Sequence, residues 1–370
     1  MNREEQICSI ALSLCEGIGH IGAKRLVESV GSATELFARR KELPMLIPDL
    51  RPSVVKALDN KEAFCRAEEE LRFAEAHGIR CLTLKDEAYP SRLRECEDAP
   101  IVLFFQGHTD FNQLHVVAMV GTRHATDYGK EFCAEFIHDL ATYCPDALIV
   151  SGLAYGIDIH SHREAQRNNL ATVAVLAHGL DRIYPYVHRH TAQEIQTKGG
   201  LLTEFLTQTN PDRQNFVQRN RIVAGLSDAV IVVESGAKGG SLITAGLAND
   251  YNRECFAVPG KRNDTFSIGC NQLIRDHKAQ ILLNAEEFVK AMNWDTPKTR
   301  VTNVQRNLFL DFTPEEERII QILNQRGDLH INALVVESGI PVNRMSALLF
   351  ELEMKGVIHA NVGGSYHLLG

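Results

Sequence analysis

Apolar residues run through the middle of the chain in short continuous blocks, at 115–120, 147–150, 172–177, 201–205, 229–233, 254–258 and 280–283. Such blocks predict strands buried on both faces. Between them, at 128–142, 156–168, 188–198, 215–226 and 241–252, apolar and polar positions recur at the spacing of an amphipathic helix. Strand and helix patterns in alternation predict repeated βα units: an α/β fold with a Rossmann-like parallel sheet of about seven strands. The order of strands in the sheet cannot be read from periodicity.

Outside this segment the texture changes. Residues 1–75 read as short helices, and Gly17-Ile18-Gly19-His20 places a Gly-x-Gly turn ahead of an amphipathic stretch. That arrangement resembles a helix-hairpin-helix module, whose turn can offer backbone N–H groups to a DNA phosphate; a plain helical hairpin with glycines for close packing fits equally. Apolar runs at 79–84 and 101–105 read as a lead-in to a large domain spanning 76–290. Residues 291–310 show no periodicity and read as a linker. From 311 to 370, Thr313-Pro314-Glu315-Glu316 supplies a helix start. Two further helices, at 331–337 and 341–355, and a hairpin at 357–369 turning at Gly363-Gly364 resemble a winged helix-turn-helix.

Charge refines the picture. The formal net charge is −8, and the 370 residues lack any apolar run long enough to span a membrane. Residues 1–110 carry 15 basic and 19 acidic side chains, residues 111–290 carry 17 and 19, and residues 311–370 carry 4 and 8. An anion site must therefore be a local cluster rather than a basic surface. The acidic tail disfavours duplex reading and favours protein contact or regulation. Nine cysteines without a Cys-x-x-Cys pair, and an opening Met1-Asn2-Arg3-Glu4-Glu5 unlike a signal peptide, point to a reducing cytoplasm.

The candidate chemistry lies in three glycine turns that follow strand blocks. These are Gly121-Thr122-Arg123, then the run from Ser151-Gly152 to Gly156-Ile157-Asp158, then Glu234-Ser235-Gly236-Ala237-Lys238-Gly239-Gly240-Ser241. In a parallel sheet all three fall on the carboxyl edge, where backbone N–H groups, helix N-termini and cations attract phosphate. The DNA- or phosphate-binding candidates are Gly121, Thr122, Arg123, Ser151, Gly152, Arg219, Asn220, Arg221, Lys238, Gly240, Ser241 and Thr244. Arg219 and Arg221 diverge by about 200° around one helix, so one faces the sheet edge and the other packs elsewhere. Phe216 offers a stacking surface for a base, or a core residue.

Neither a dinucleotide fingerprint nor a Walker A sequence occurs. Asp158, Glu204 and Glu234 lie near strand ends; they read as helix caps or partners of the arginines more readily than as an acid/base pair. His160 and His162, two apart on a helix, cannot share a metal, and Asp158 and His162 are spaced to pair. No cofactor, metal or catalytic residue is expected.

Taken together, Val120-Gly121-Thr122-Arg123, the second turn, Arg219-Asn220-Arg221-Ile222, Gly240-Ser241-Leu242-Ile243-Thr244-Ala245, Val258-Pro259-Gly260 and Gly269-Cys270-Asn271-Gln272-Leu273-Ile274 resemble the signatures of the DNA-processing protein A family, DprA, also called Smf. Their order and spacing match over about 80–290. The resemblance implies a bacterial cytoplasmic, non-enzymatic protein that binds single-stranded DNA, forms homodimers and loads the RecA recombinase onto incoming DNA during natural transformation. It also implies that Arg123 contacts DNA, with Thr122 in place of the family's serine. Tyr186 stands where many members carry a basic residue, with His188 or Arg189 nearby to compensate. Val217 replaces a proline, Gly239 a serine, and His277-Lys278 a glycine. Two other readings remain: a nucleotide-processing Rossmann hydrolase acting on nucleoside monophosphates, and an interaction scaffold that binds no DNA.

Overall fold

The computed structural model describes residues 2–47, 50–294, 312–361 and 364–368. The apolar blocks form one sheet, with strands β1 Arg80–Thr83, β2 Val102–Gly107, β3 Val116–Val120, β4 Leu148–Ser151, β5 Ala171–Val175, β6 Gly200–Thr203, β7 Ala229–Val232, β8 Glu254–Ala257 and β9 Gln280–Ile281. Their order is β1-β2-β6-β5-β4-β3-β7-β8-β9. The strands from β3 to β9 are the expected parallel set. The lead-in is more than a lead-in: β1 and β2 pair with each other, and β2 adds antiparallel to β6. Periodicity cannot reveal such a pairing, because the two runs join a strand nearly a hundred residues downstream.

The central strand shows why the apolar blocks are continuous. Val116, Ala118 and Val120 pack with Ile222, Val223 and Ala245 on one face, while Val117 and Met119 pack with Phe132, Phe136 and Phe288 on the other. Alternate side chains point to opposite faces, so a strand covered on both sides has no polar position. Each large side chain buried there contributes about 1.5–3 kcal/mol.

Chain direction then creates the site. From β3 the chain steps outward through β4, β5 and β6, then crosses back to place β7 on the other side of β3. The helix after β3, Asp127–Tyr143, and the helix after β7, Gly240–Asp250, consequently pack on opposite faces. The turns leading into them confront each other at the carboxyl edge, where this topology opens a crevice.

The N-terminal helices Arg3–Ser13, His20–Val30, Ala33–Ala38, Leu43–Leu46, Pro52–Ala57 and Lys61–Ala76 share one core with Cys81, Val102 and Phe104 of β1 and β2. Lys24, the cation on the helix after the Gly-x-Gly turn, is buried and donates to the Arg94 and Cys96 carbonyls at 2.6 and 2.8 Å. Its charge anchors the helical layer to the sheet layer.

The linker expected at 291–310 begins later: Ala291 ends the helix Ala285–Ala291, and Met292 and Trp294 pack into the core of the large domain, while residues 295–311 lie outside the described residues. Beyond it, the helices Pro314–Arg326, Ile331–Ser338 and Val342–Met354 pack around Leu348, Leu349 and Leu352. The first opens with a capping box between Thr313 and Glu316. The wing has three strands, β10 Leu329–His330, β11 Ile358–Asn361 and β12 Ser365–Leu368, in the order β10-β12-β11. The short β10 is an addition to the predicted hairpin; Gly363 of its predicted turn and Leu369 at its end lie outside the described residues.

Candidate nucleic-acid interface

The three glycine turns are stitched to one another through backbone. Thr122 N–H donates to the Glu234 carbonyl at 2.8 Å, and Ile157 N–H donates to the Thr122 carbonyl at 3.2 Å. A Cβ on Gly121 would stand 2.4 Å from Ile157 Cγ1, and one on Gly156 would stand 2.1 Å from the Thr122 carbonyl oxygen. Gly156 also has a φ of +75°, a region that costs other residues energy. Leu153, at a φ of 60°, occupies that region without being glycine; its buried side chain and a 2.8 Å contact from His188 Nδ1 to its carbonyl hold it there. Such strain persists only where packing over-determines it.

Between the turns lies a cleft of about 570 Å³. Its rim carries Arg123 from the first turn, Lys238 from the third and Arg213 from the start of the helix Arg213–Leu226. All three are exposed, and none is ion-paired among the described residues. Phe216 is half-buried in the wall. The Arg123 guanidinium lies over its ring at 5.0 Å, Arg219 approaches it at 5.9 Å, and the Tyr184 ring stands 6.0 Å away. A cation over an aromatic face is attracted by the ring quadrupole, so the pair presents both a flat surface and a charge. Gly240 opens the helix Gly240–Asp250 at the cleft without a side-chain cap, and of its first turn Leu242 N–H donates to the Gly239 carbonyl at 3.1 Å.

The sequence candidates divide. Gly121, Thr122, Arg123, Gly152, Arg219, Asn220, Lys238, Gly240, Ser241 and Thr244 line the cleft. Ser151 does not: it is fully buried, and its hydroxyl donates to the Met119 carbonyl at 2.6 Å, tying β4 to β3. Arg221 also lies elsewhere. It is ion-paired with Glu204, both side chains nearly inaccessible, and reaches toward Asp98. Arg219 is the member of the pair that faces the sheet edge, as a buttress more than a free cation: it donates to the carbonyls of Gly152 and Val175. Close packing explains Gly152, where a Cβ would fall 2.2 Å from that guanidinium.

Arg213 and Tyr184 are cleft residues that sequence reasoning passed over. Arg213 had a legible signal, a cation at the first position of a helix starting from the carboxyl edge. Tyr184 had none, because the loop after β5 is placed only by the fold.

The carboxylates serve the scaffold. Glu234 accepts from Thr126 N–H at 2.9 Å and from its hydroxyl, fixing the start of the helix Asp127–Tyr143. Glu204 holds Arg221. Asp158 accepts from Ala154 N–H at 3.4 Å, and burial pushes its carboxyl above the ordinary range against the pull of Arg219. The expected Asp158–His162 pair is absent. His162 instead contacts the Thr172 hydroxyl at 2.7 Å, and burial lowers its pKa to about 3.

Comparison with known proteins follows the same lines. Residues 80–293 match DNA recombination-mediator protein A, and residues 310–364 match the DprA winged helix domain. Protein Smf of Synechocystis sp. is 33% identical over 299 residues, 79% of this chain and 74% of its own length. The chain belongs to the DprA/Smf family. The X-ray structure of DNA processing protein A from Streptococcus pneumoniae superposes with a TM-score of 0.58 at 28% identity, covering 74% of this chain and 98% of that one. DNA processing protein A from Helicobacter pylori, described for its single-stranded DNA binding mode, gives 0.53 at 32% identity, covering 59% and 96%.

Two of the departures expected from the resemblance acquire a physical description. His188 cannot replace the missing cation at Tyr186: it is 3% exposed, bonded to the Leu153 carbonyl, and its pKa is lowered by burial. Arg189 is exposed and sits against the Tyr186 ring. Val217, at the proline position, is exposed on the cleft wall.

Proposed function

We propose that the chain binds single-stranded DNA in this cleft, as a non-enzymatic, cytoplasmic homodimer that loads RecA onto incoming strands during natural transformation. The observation that carries the binding is the set of unpaired cations, Arg123, Arg213 and Lys238, around the half-buried Phe216 ring. Phosphates meet the cations and the uncapped N-terminus of the helix Gly240–Asp250, while an unstacked base meets the ring. Duplex DNA keeps its bases stacked and cannot use that ring. The carboxylates fit a binding role: Glu204 holds Arg221, Glu234 holds Thr126, and Asp158, in the cleft wall, accepts from Ala154 N–H. For self-association, the short edge strand β9 leaves Ile281 and Leu283 exposed. RecA loading and transformation are proposed from membership of the DprA/Smf family.

The test is substitution at the first turn. Arg123→Ala is expected to weaken binding of a labelled oligothymidylate about tenfold or more, since a charge-assisted contact is worth roughly 1.5–3 kcal/mol. Lys238→Ala should cost less, because lysine is a less directional donor. A folded Arg123→Ala protein with unchanged affinity would remove the first turn from the site.

A further inference from the structure

Phe266 joins none of the apolar cores that cover the nine-stranded sheet. It lies half-buried in the loop between β8 and the helix Ile268–Arg275, and its ring stands 6.3 Å from the exposed His124 imidazole with only 32° between the planes. Both rings are anchored through backbone. Ser235 N–H donates to the Phe266 carbonyl at 2.6 Å and Gly269 N–H to the Ser235 carbonyl at 2.8 Å, which fastens the loop to the third glycine turn. At the start of the same loop, the Tyr128 hydroxyl donates to the Pro259 carbonyl at 2.7 Å, and the Asn271 side chain holds Gly260 by its N–H at 3.2 Å and its carbonyl at 3.1 Å. On the other side, His124 N–H donates to the Thr122 hydroxyl at 3.2 Å, fixing the chain one residue past Arg123. The gap between the rings falls just short of twice the rise of about 3.4 Å between stacked bases. A small swing of the exposed imidazole opens it to a base stacked on both faces.

The place of this pair matters as much as its spacing. The sheet order sets β8 beyond β7, so the loop after β8 and the loop after β5 lie on opposite flanks of the cleft. Arg123 leans over Phe216 at 5.0 Å, while its neighbour His124 stands against Phe266. A phosphate held by Arg123 therefore has an aromatic site on either side. We infer that His124 and Phe266 are a pincer for the base next to the one on Phe216, carrying the single strand across Arg123 toward the loop after β8. This rests on the reading that the cleft binds single-stranded DNA, and it adds a second base and a path. Every base has two π-faces, so a pincer of two rings grips any of the four without reading an edge. A base stacked between neighbours in a duplex has no free face to offer it.

The experiment measures binding of the full chain to an oligothymidylate and to a strand of the same length lacking bases throughout. Wild type, His124→Ala, His124→Tyr, Phe266→Ala, Phe266→Leu and Arg123→Ala are compared. His124→Ala and Phe266→Ala are each expected to weaken the oligothymidylate about fivefold or more, the loss of stacking on one base. Phe266→Leu, which keeps an apolar side chain in the loop but has no aromatic face, should lose as much as Phe266→Ala. His124→Tyr, which keeps a ring and removes the imidazole, should stay near wild type. On the strand without bases all four variants should match wild type, while Arg123→Ala weakens both strands. Unchanged oligothymidylate binding by the alanine variants, with Arg123→Ala still impaired, would overturn the pincer and leave the cleft reading standing. Equal losses on the two strands would also overturn it, by showing that these residues act on the backbone or on the loops. An Arg123→Ala protein unaffected on either strand would instead refute the cleft itself.

Discussion

Arg219 and Arg221 sit two positions apart on one helix and end in different environments. Helical geometry alone says that they diverge, and that much was legible in the sequence. Which of them reaches the carboxyl edge depends on how the helix Arg213–Leu226 is rotated against the sheet, and that follows from Ile222, Val223 and Leu226 entering the core. Arg221 then meets Glu204 and Asp98, contributed by distant segments that no local pattern connects to it. Ser151 follows the same logic, since a serine ending a buried strand block can serve a turn or, as here, a neighbouring carbonyl. Arg221→Ala should act on stability, because it strands the Glu204 carboxylate in the interior; breaking a buried pair costs about 3–5 kcal/mol. Urea unfolding should register that loss, while the protein still folded in buffer binds oligothymidylate with wild-type affinity. Wild-type stability combined with lost binding would place Arg221 in the site.

At the level of elements, the βα alternation and the three turns could be read because buried parallel strands and glycine turns each leave a local signature. The antiparallel pair β1 and β2 could not, nor could the short β10, since pairing is a long-range choice and two-residue strands have no period. What the turns do together is also a property of the fold: the first and second are joined at Gly156, whose left-handed φ and 2.1 Å clearance from the Thr122 carbonyl exclude a side chain. Gly156→Ala is expected to destabilise the domain by more than about 1 kcal/mol, because the native conformation is incompatible with a Cβ. The displaced first turn carries Arg123, so single-strand affinity should fall as well. Denaturant titration and oligonucleotide binding on the same preparation check both; wild-type values in each would show that the turns tolerate separation.

For the whole molecule, a net charge of −8 is reconciled with DNA binding by placing three unpaired cations, Arg123, Arg213 and Lys238, around one cleft at the sheet edge. The winged module adds no such cluster. Its third helix ends in Glu351 and Glu353, Arg344 is paired with Glu315, and Lys355 with Glu316. The exposed Phe350 and Met354 on that helix suit contact with protein more than with phosphate. A chain ending near Arg306 should therefore retain single-strand affinity within about twofold, as its loss removes no net positive charge. A large drop in a folded truncation would assign DNA contact to the wing.

The most direct test of the central claim is a titration with a single strand and with a blunt duplex of the same sequence, at two salt concentrations. Three unpaired cations imply a shallow salt dependence for the single strand, with a slope of about −2 in log affinity against log salt. Tighter binding of the single strand at both salts, with that shallow slope, is the result the cleft predicts. Equal or tighter binding of the blunt duplex would contradict it.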